Sequence, residues 1–316
     1  MRTVTGSLQD RSAAIIRRFR QRPDSSARTL LITVFGDSIV PHGGEVWTGT
    51  LLRLVEPLGI DERLARTSLH RLVGEGLLVT RRHGRRAFYS VSPAAGHDFR
   101  SAERRIYYPR DERWDGRWTL VIETNALTPP VRSALRQHLV WLGFGSIGSS
   151  VHICPLDRTE ELKPLLSDLG VSGQVAVFRG EVATSLSLTD QDLVRAIPGD
   201  LSEVETAWRA FVRRFRPLAE ASRSGGRDVD PETAFLARTL LVHAYRRIVL
   251  REPELPVGLW PAAWAGDAAY AIAARCYHAL NADADAHLTS TSEALDAPLP
   301  PFDPDYGHRY SPPEPT

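Results

Sequence analysis

The chain is 316 residues long and carries 39 Lys and Arg against 38 Asp and Glu, for a formal net charge of +1. No run approaches the roughly 20 apolar residues that a membrane-crossing helix needs. The N-terminal arginines are followed by no apolar stretch that would make a secretory leader, so the expected location is the cytoplasm, with no membrane partner.

Cys154 and Cys276 stand too far from each other, and from suitably spaced His, to build a zinc site or a disulfide framework, and are expected as buried small hydrophobes. Charge is unevenly spread. Residues 1–26 sum to +4, 27–60 to −1 and 61–110 to +6, which leaves −8 for residues 111–316. A basic N-terminal third joined to an acidic remainder predicts a polyanion bound at one end only. Arg17, Arg18, Arg20 and Arg22 precede Pro23, and residues 1–26 are expected to form a basic, disordered arm.

Residues 27–97 predict a winged helix-turn-helix. The run ARTLLITVFGDSIV gives a core helix from Ala27 to Val40, PHGGE breaks it, and a second helix spans Trp47 to Leu58 with Thr48 as its candidate cap. Gly59 supplies the turn into a third helix, where Asp61 is placed to cap the first turn and Ala65, Leu69, Leu72 and Val73 recur at helical spacing. The opposite stripe presents Arg63, Arg66, Thr67 and His70 together, as donors for base edges in a major groove. Gly74 and Gly76 stop the helix. LLVTRR and RRAFYSV then flank His83-Gly84 as a hairpin. Its tip, with Arg81, Arg82, His83, Arg85 and Arg86, can grip phosphates or a minor groove. Such modules also serve as protein-binding domains, but the 11 Arg packed into residues 61–110 favour DNA. Residues 98–112 read as a connecting helix.

After that the grammar changes. A strand over 117–124, a helix from Thr128-Pro129 to Leu142, strands over 144–147 and 151–154, a helix over 158–169 and a strand over 174–179 give the order βαββαβ. Residues 113–188 are thus expected as a ferredoxin-like domain, and the fold class as α+β. Gly143-Phe144-Gly145-Ser146-Ile147-Gly148 spells G-x-G-x-x-G. A helix precedes it and a strand follows, the reverse of the dinucleotide-binding context, so it reads as a glycine turn, and no cofactor or metal is expected. Residues 189–280 predict a helical domain: Ser202 to Glu205 form a capping box, Asp230-Pro231 caps the next helix, and the bend PELPVGLWPAAWAGD precedes a last helix ending near Leu280. Residues 281–316 are Pro-rich and are expected to be disordered.

Three separated motifs carry a resemblance. FGDSIVPHGGEVWTGTLLRLVEPLGIDERLARTSLHRLVGEGLL with GRRAFYSV, then AERRIY with WDGRWTLV, then LREPELP with LWPAAWAGDAA, resemble in that order the PaaX-like transcriptional regulators, the phenylacetic acid degradation repressor family. The likeness covers about residues 27–280. It implies a non-enzymatic winged-helix repressor of an aromatic-acid catabolic operon, dimeric, with a ferredoxin-like central and a helical C-terminal domain. It also implies release from operator DNA when an aryl-acyl-CoA such as phenylacetyl-CoA binds, and it puts Arg63, Arg66, Thr67, His70 and Arg71 on the family's reading helix. A thioester of that kind needs arginines, a stacking surface and an apolar slot. The candidates are His243, Tyr245, Arg246 and Arg247 on one helix, Trp118 and Trp141 in the central domain, and Trp260 and Trp264 in the bend. Two other classes compete. One is an effectorless architectural DNA binder, for which an acidic remainder of about 200 residues is more protein than a dimerisation handle requires. The other is a metal-dependent nuclease, because the central domain also resembles small CRISPR-associated nucleases that use an acidic residue at the end of the first strand. Glu123 stands there with no obvious second carboxylate.

Overall fold

The first regular element of the computed structural model is a helix, α1 (Leu8–Gln21), inside the stretch expected as a disordered arm. Leu8, Ile15, Ile16 and Phe19 are buried along one side, at spacings that keep them on one helical face. Gln9 bonds Thr233 and the backbone N–H of Asp230, and Arg20 donates to the Pro57 carbonyl at 2.6 Å. The arm reading is therefore corrected: an apolar stripe, hidden among the arginines, docks this segment on the core.

The structure describes residues 6–21, 26–108, 114–124, 126–183, 188–197, 201–223 and 229–311. It is a mixed helix-and-sheet fold in two compact units, one drawn from residues 1–109, 206–250 and 265–316, the other from 110–205 and 251–264. In the first unit α2 (Ala27–Val34), capped by Ser26, runs into a wide π-type turn over Phe35–Ile39 that carries Asp37 and Ser38 into the interior. A short strand that sequence patterning did not anticipate, β1 (Glu45–Trp47), precedes α3 (Thr48–Val55). Thr48 bonds the Ala87 carbonyl at 2.7 Å instead of capping its own helix. Next come α4 (Glu62–Gly74), the hairpin strands β2 (Leu78–His83) and β3 (Arg86–Val91), and α5 (Gly96–Tyr107). The sheet is antiparallel in the order β1-β3-β2.

The second unit holds β4 (Trp118–Glu123), α6 (Pro129–Trp141), β5 (Gly145–Ile147), β6 (Val151–Cys154), α7 (Thr159–Asp168), β7 (Val175–Gly180) and the short α8 (Asp190–Val194). All pairings in its sheet are antiparallel, in the order β5-β6-β4-β7. Val121 and Cys154 pack with Leu135, Leu139 and Leu162 of α6 and α7 on one face, whereas Trp118 and Ile153 pack with Val194, Ile197, Leu255 and Leu259 on the other. The glycine motif runs from the turn after α6 through β5 to Gly148, with a helix before it and a strand within it, as its context indicated. A Cβ on Gly145 would stand 1.9 Å from the Ala196 carbonyl oxygen, so glycine is required there by close packing rather than by a phosphate.

Three long helices complete the chain: α9 (Leu201–Ala221), α10 (Pro231–Val249) and α11 (Ala265–Ala294). Asp230 caps α10 as expected, accepting from Thr233 N at 2.9 Å. Ser202 and Glu205 stand near the start of α9, beside residues outside the described ones, and a capping box pairs Thr189 with Asp192 at α8. Both cysteines are buried and free. The tail reading is also corrected. Helix α11 runs past Leu280 with Ala284, Leu288 and Ser292 buried at a four-residue interval, and Arg309 and Tyr310, near the C-terminus, are buried as well.

Candidate nucleic-acid interface

Helix α4 starts where Asp61 accepts from Leu64 N at 2.7 Å and is backed by Ala65, Ser68, Leu69 and Leu72, all buried. Arg63, Arg66, Thr67, His70 and Arg71 all lie exposed. The helix is held from behind. It packs on α2, and Arg28 of α2 grips Glu75 at the C-terminal end of α4 through Nε, 3.0 and 2.9 Å from the two carboxylate oxygens. Arg66 Nε donates to Glu62 Oε1 at 2.8 Å, an exposed pair. Such pairs are worth only about 0.3–0.5 kcal/mol, so the guanidinium is readily transferred to another acceptor. The Thr67 hydroxyl donates to the Arg63 carbonyl at 2.8 Å, which leaves its methyl as the group offered outward. Leu64 is 46% exposed beside this row. Sequence periodicity missed it as a surface group, since leucine in a helix reads as core.

In the hairpin His83 pairs with Arg86, so the two-residue turn is Gly84-Arg85, one position later than the sequence indicated. Of the two, only Gly84 has a positive φ, 59°, as a turn with glycine first requires. Arg81, Arg82, His83 and Arg85 are exposed, with Arg81 Nε 3.7 Å from Glu45. Arg86 differs. Its Nη1 donates to the Asp296 carbonyl at 2.6 Å and its guanidinium lies 4.9 Å from the centre of the Trp47 ring. The indole itself lies so close over Gly49 that a Cβ there would stand 2.4 Å from it.

The sequence-derived effector residues divide between the two units. His243 and Tyr245 are buried in α10 of the first, where His243 Nδ1 shares a 2.8 Å hydrogen bond with Thr33 Oγ1, while Arg246 is half-buried and Arg247 exposed. In the second unit the Trp118 indole donates to Asp190 at 2.8 Å and Trp141 is 82% exposed. Trp260 and Trp264 lie with ring centres 4.9 Å apart, and their N–H groups are spent on the Leu255 carbonyl and Glu252. Within the second unit, the geometry brings together only these last two.

Glu123 is the centre of a network in the second unit. Arg132 and Arg136 reach its oxygens at 3.0 and 2.8 Å, and His152 Nε2 lies 2.7 Å from Oε1 with its Nδ1 2.9 Å from Ser146 Oγ. The order Ser, His, carboxylate is that of a proton relay, yet two guanidiniums and an imidazole already fill the carboxylate's acceptor capacity, a donor set that suits an ion-pair joint between sheet and α6 better than a metal. Burial pushes this carboxyl up, but the hydrogen bonds from Arg136 and His152 outweigh it and hold the group below its ordinary 4.5. The stability it supplies is present above pH about 4.5 and is lost as pH falls through the lower folded value. Glu123→Gln is therefore expected to flatten the acid limb of a plot of denaturant midpoint against pH; an unchanged acid slope would remove this network as its source.

Residues 26–95 match the family described as PaaX-like protein, residues 111–194 the PaaX protein central Cas2-like domain, and residues 200–290 the PaaX-like protein C-terminal domain. The chain is 34% identical over 278 residues to the transcriptional repressor PaaX of Escherichia coli (strain K12), covering 87% of each chain. Among solved structures, the uncharacterized protein Rv0674 from Mycobacterium tuberculosis matches with a TM-score of 0.51 at 24% identity, covering 83% of this chain and 98% of that one, a likeness of fold alone. No helix among the described residues is long and apolar enough to cross a membrane.

Proposed function

This chain belongs to the PaaX-like family, and from that premise we propose that it is a DNA-binding transcriptional repressor of a phenylacetate catabolic operon. In this reading α2, α3, α4 and the β2–β3 hairpin make a winged helix-turn-helix, the second unit is a ferredoxin-like domain, and two copies act as a dimer in the cytoplasm. An aryl-acyl-CoA, phenylacetyl-CoA first among them, releases the operator. The observation that carries the DNA-binding reading is the exposed row Arg63, Arg66, Thr67, His70 and Arg71 on a helix whose other face is core. Arg donors on such a row match guanine edges, and the Thr67 methyl and Leu64 match the apolar edge of thymine.

Footprinting on DNA that co-purifies with the protein tests this. The expected result is an inverted repeat with half-site centres separated by about one helical turn or a multiple of it. Arg66→Ala or His70→Ala is expected to relax discrimination at individual positions, at a cost of about 1–3 kcal/mol each. Protection of a single unpaired half-site would refute the dimer, and a loss spread evenly over all sequences would refute the base-reading role. An operator complex that phenylacetyl-CoA leaves intact would refute the effector and leave a repressor or an architectural DNA binder.

A further inference from the structure

Three elements of the first unit line a cavity of about 340 Å³ that is open to solvent on one side: α2 with its π-type turn, the connecting helix α5, and α10. Ile32, Phe99, Ala102, Ile106, Val242 and Leu250 give it an apolar wall. An apolar cavity of about 150 Å³ already takes a benzene ring, so this one has room for a ring with a short acyl arm. One cation of the lining, Arg246, is half-buried, and its Nη1 donates to the Thr29 carbonyl at 3.2 Å and to Thr33 Oγ1 at 3.3 Å. Burial lowers its pKa. Among the described residues no carboxylate pairs with it: of the three acids in the lining, Glu103 is held by Arg309, Asp37 by Arg238 and Tyr107, and Asp98 lies exposed. A guanidinium drawn out of water and met only by long bonds to neutral oxygens is stabilised by a further, more polar acceptor.

The geometry points to this cavity as the binding site for an aromatic acyl group, its ring against Phe99 and Ile106 and its carbonyl or carboxylate oxygen toward Arg246. Arg246 was reached from sequence; the other walls were not, because they lie on three elements far apart in the chain. The consequence for DNA rests on the repressor reading above. Helix α2 packs on α4 and also lines the cavity. Leu77 lines it too, and its N–H closes the end of α4 on the Leu72 carbonyl at 3.0 Å. A ligand there touches the elements that hold the reading helix. It shifts operator binding as far as its affinities for the operator-competent and operator-free arrangements differ, and operator weakens the ligand by the same factor.

The test uses 4-fluorophenylacetyl-CoA and 4-fluorophenylacetate, followed by fluorine NMR and calorimetry on the full chain. Two variants are compared with the wild type: Ala102→Phe, which fills the cavity, and Gly36→Ala, whose Cβ would stand 3.8 Å from the Phe99 ring, an ordinary contact that intrudes less. Operator binding without ligand reports that each variant is folded. The expected result is a loss of at least about tenfold in acyl-ligand affinity for Ala102→Phe, with a smaller loss for Gly36→Ala, and ligand-free operator affinity kept. A variant that binds operator and takes the ligand as the wild type does overturns the assignment while leaving the repressor reading intact. If Ala102→Phe fails to bind operator, Gly36→Ala decides. A wild-type operator complex unmoved by the thioester sinks the effector reading alone, and the site is then decided by fluorophenylacetate: binding weakened by the variants upholds it, and no binding overturns it.

Discussion

Replacing Arg309 with alanine is expected to cost about 3–5 kcal/mol of folding stability, the loss that follows when one partner of a buried ion pair is removed and the other stays behind. Arg309 is 1% exposed and reaches Glu103 with two parallel bonds, Nε to Oε1 at 2.8 Å and Nη2 to Oε2 at 2.7 Å. Its remaining donors go to the carbonyls of Asp37 at 2.7 Å and Gly36 at 2.9 Å, and its guanidinium lies 4.0 Å from the centre of the Tyr107 ring. Next to it Asp37 accepts from the Tyr107 hydroxyl at 2.8 Å and stands 3.1 Å from Nε of the equally buried Arg238, which also reaches Asp285 at 2.6 Å. The turn over residues 307–310 thus supplies one of the two cations that neutralise a buried acidic cluster in the first unit.

The sign of the accompanying pH effect is fixed by Glu103. Burial pushes its carboxyl up, against the pull of Arg309. Without that cation the group rises further, so the variant's deficit is fully present well above the folded pKa and shrinks as pH falls and the carboxyl takes its proton. Pairing Arg309→Met with Glu103→Met is expected to restore part of the loss, because neither partner then remains buried and charged. Urea unfolding of the four species at pH 7 checks this; a double variant as unstable as the sum of the singles would show that the two side chains do not act as a pair.

What could be read from sequence here was what is local. Helix α4, its Asp61 cap and the hairpin are each written within about fifteen consecutive residues, where spacing and turn chemistry suffice. The same holds for the strand and helix order of the second unit, though single boundaries moved, as at Gly84-Arg85. The arm and the tail failed for the opposite reason. In LQDRSAAIIRRFRQ the charges outnumber the stripe of Leu8, Ile15, Ile16 and Phe19, and only the partner surface on α10 makes that stripe decisive. Arg309 and Tyr310 carry no local signal whatever. Tyr310 is placed by ring contacts with Tyr107, Tyr245, Tyr270 and Tyr277, residues 33 to 203 positions away. Composition calls such a tail disordered because composition cannot see the cavity it fills. The interleaving of the units, in which residues 251–264 leave the helical part of the chain to join the sheet, is non-local in the same way.

The second large effect expected is on salt, and it separates two neighbouring arginines that sequence treats alike. Among the described residues Arg82 and Arg85 of the hairpin have no hydrogen-bonding or ionic partner, so they are the cations of the candidate interface that meet phosphate without first giving something up. With those two from each of two copies on phosphates, log K against log salt is expected to slope at about −4, a fall of roughly 10²-fold in operator affinity between 50 and 200 mM salt. Arg85→Ala removes one contact per copy and should make the slope shallower by about two, weakening all sequences alike. Arg86→Met should leave the slope where it was, because that guanidinium is already bonded to the Asp296 carbonyl and laid over Trp47, and the methionine keeps an apolar stem on the ring. Titrations of operator and of unrelated duplex at four salt concentrations measure both. Equal changes in slope for Arg85→Ala and Arg86→Met would mean that Arg86 lets go of Asp296 when DNA arrives, and that the hairpin grips the backbone from both sides of its turn.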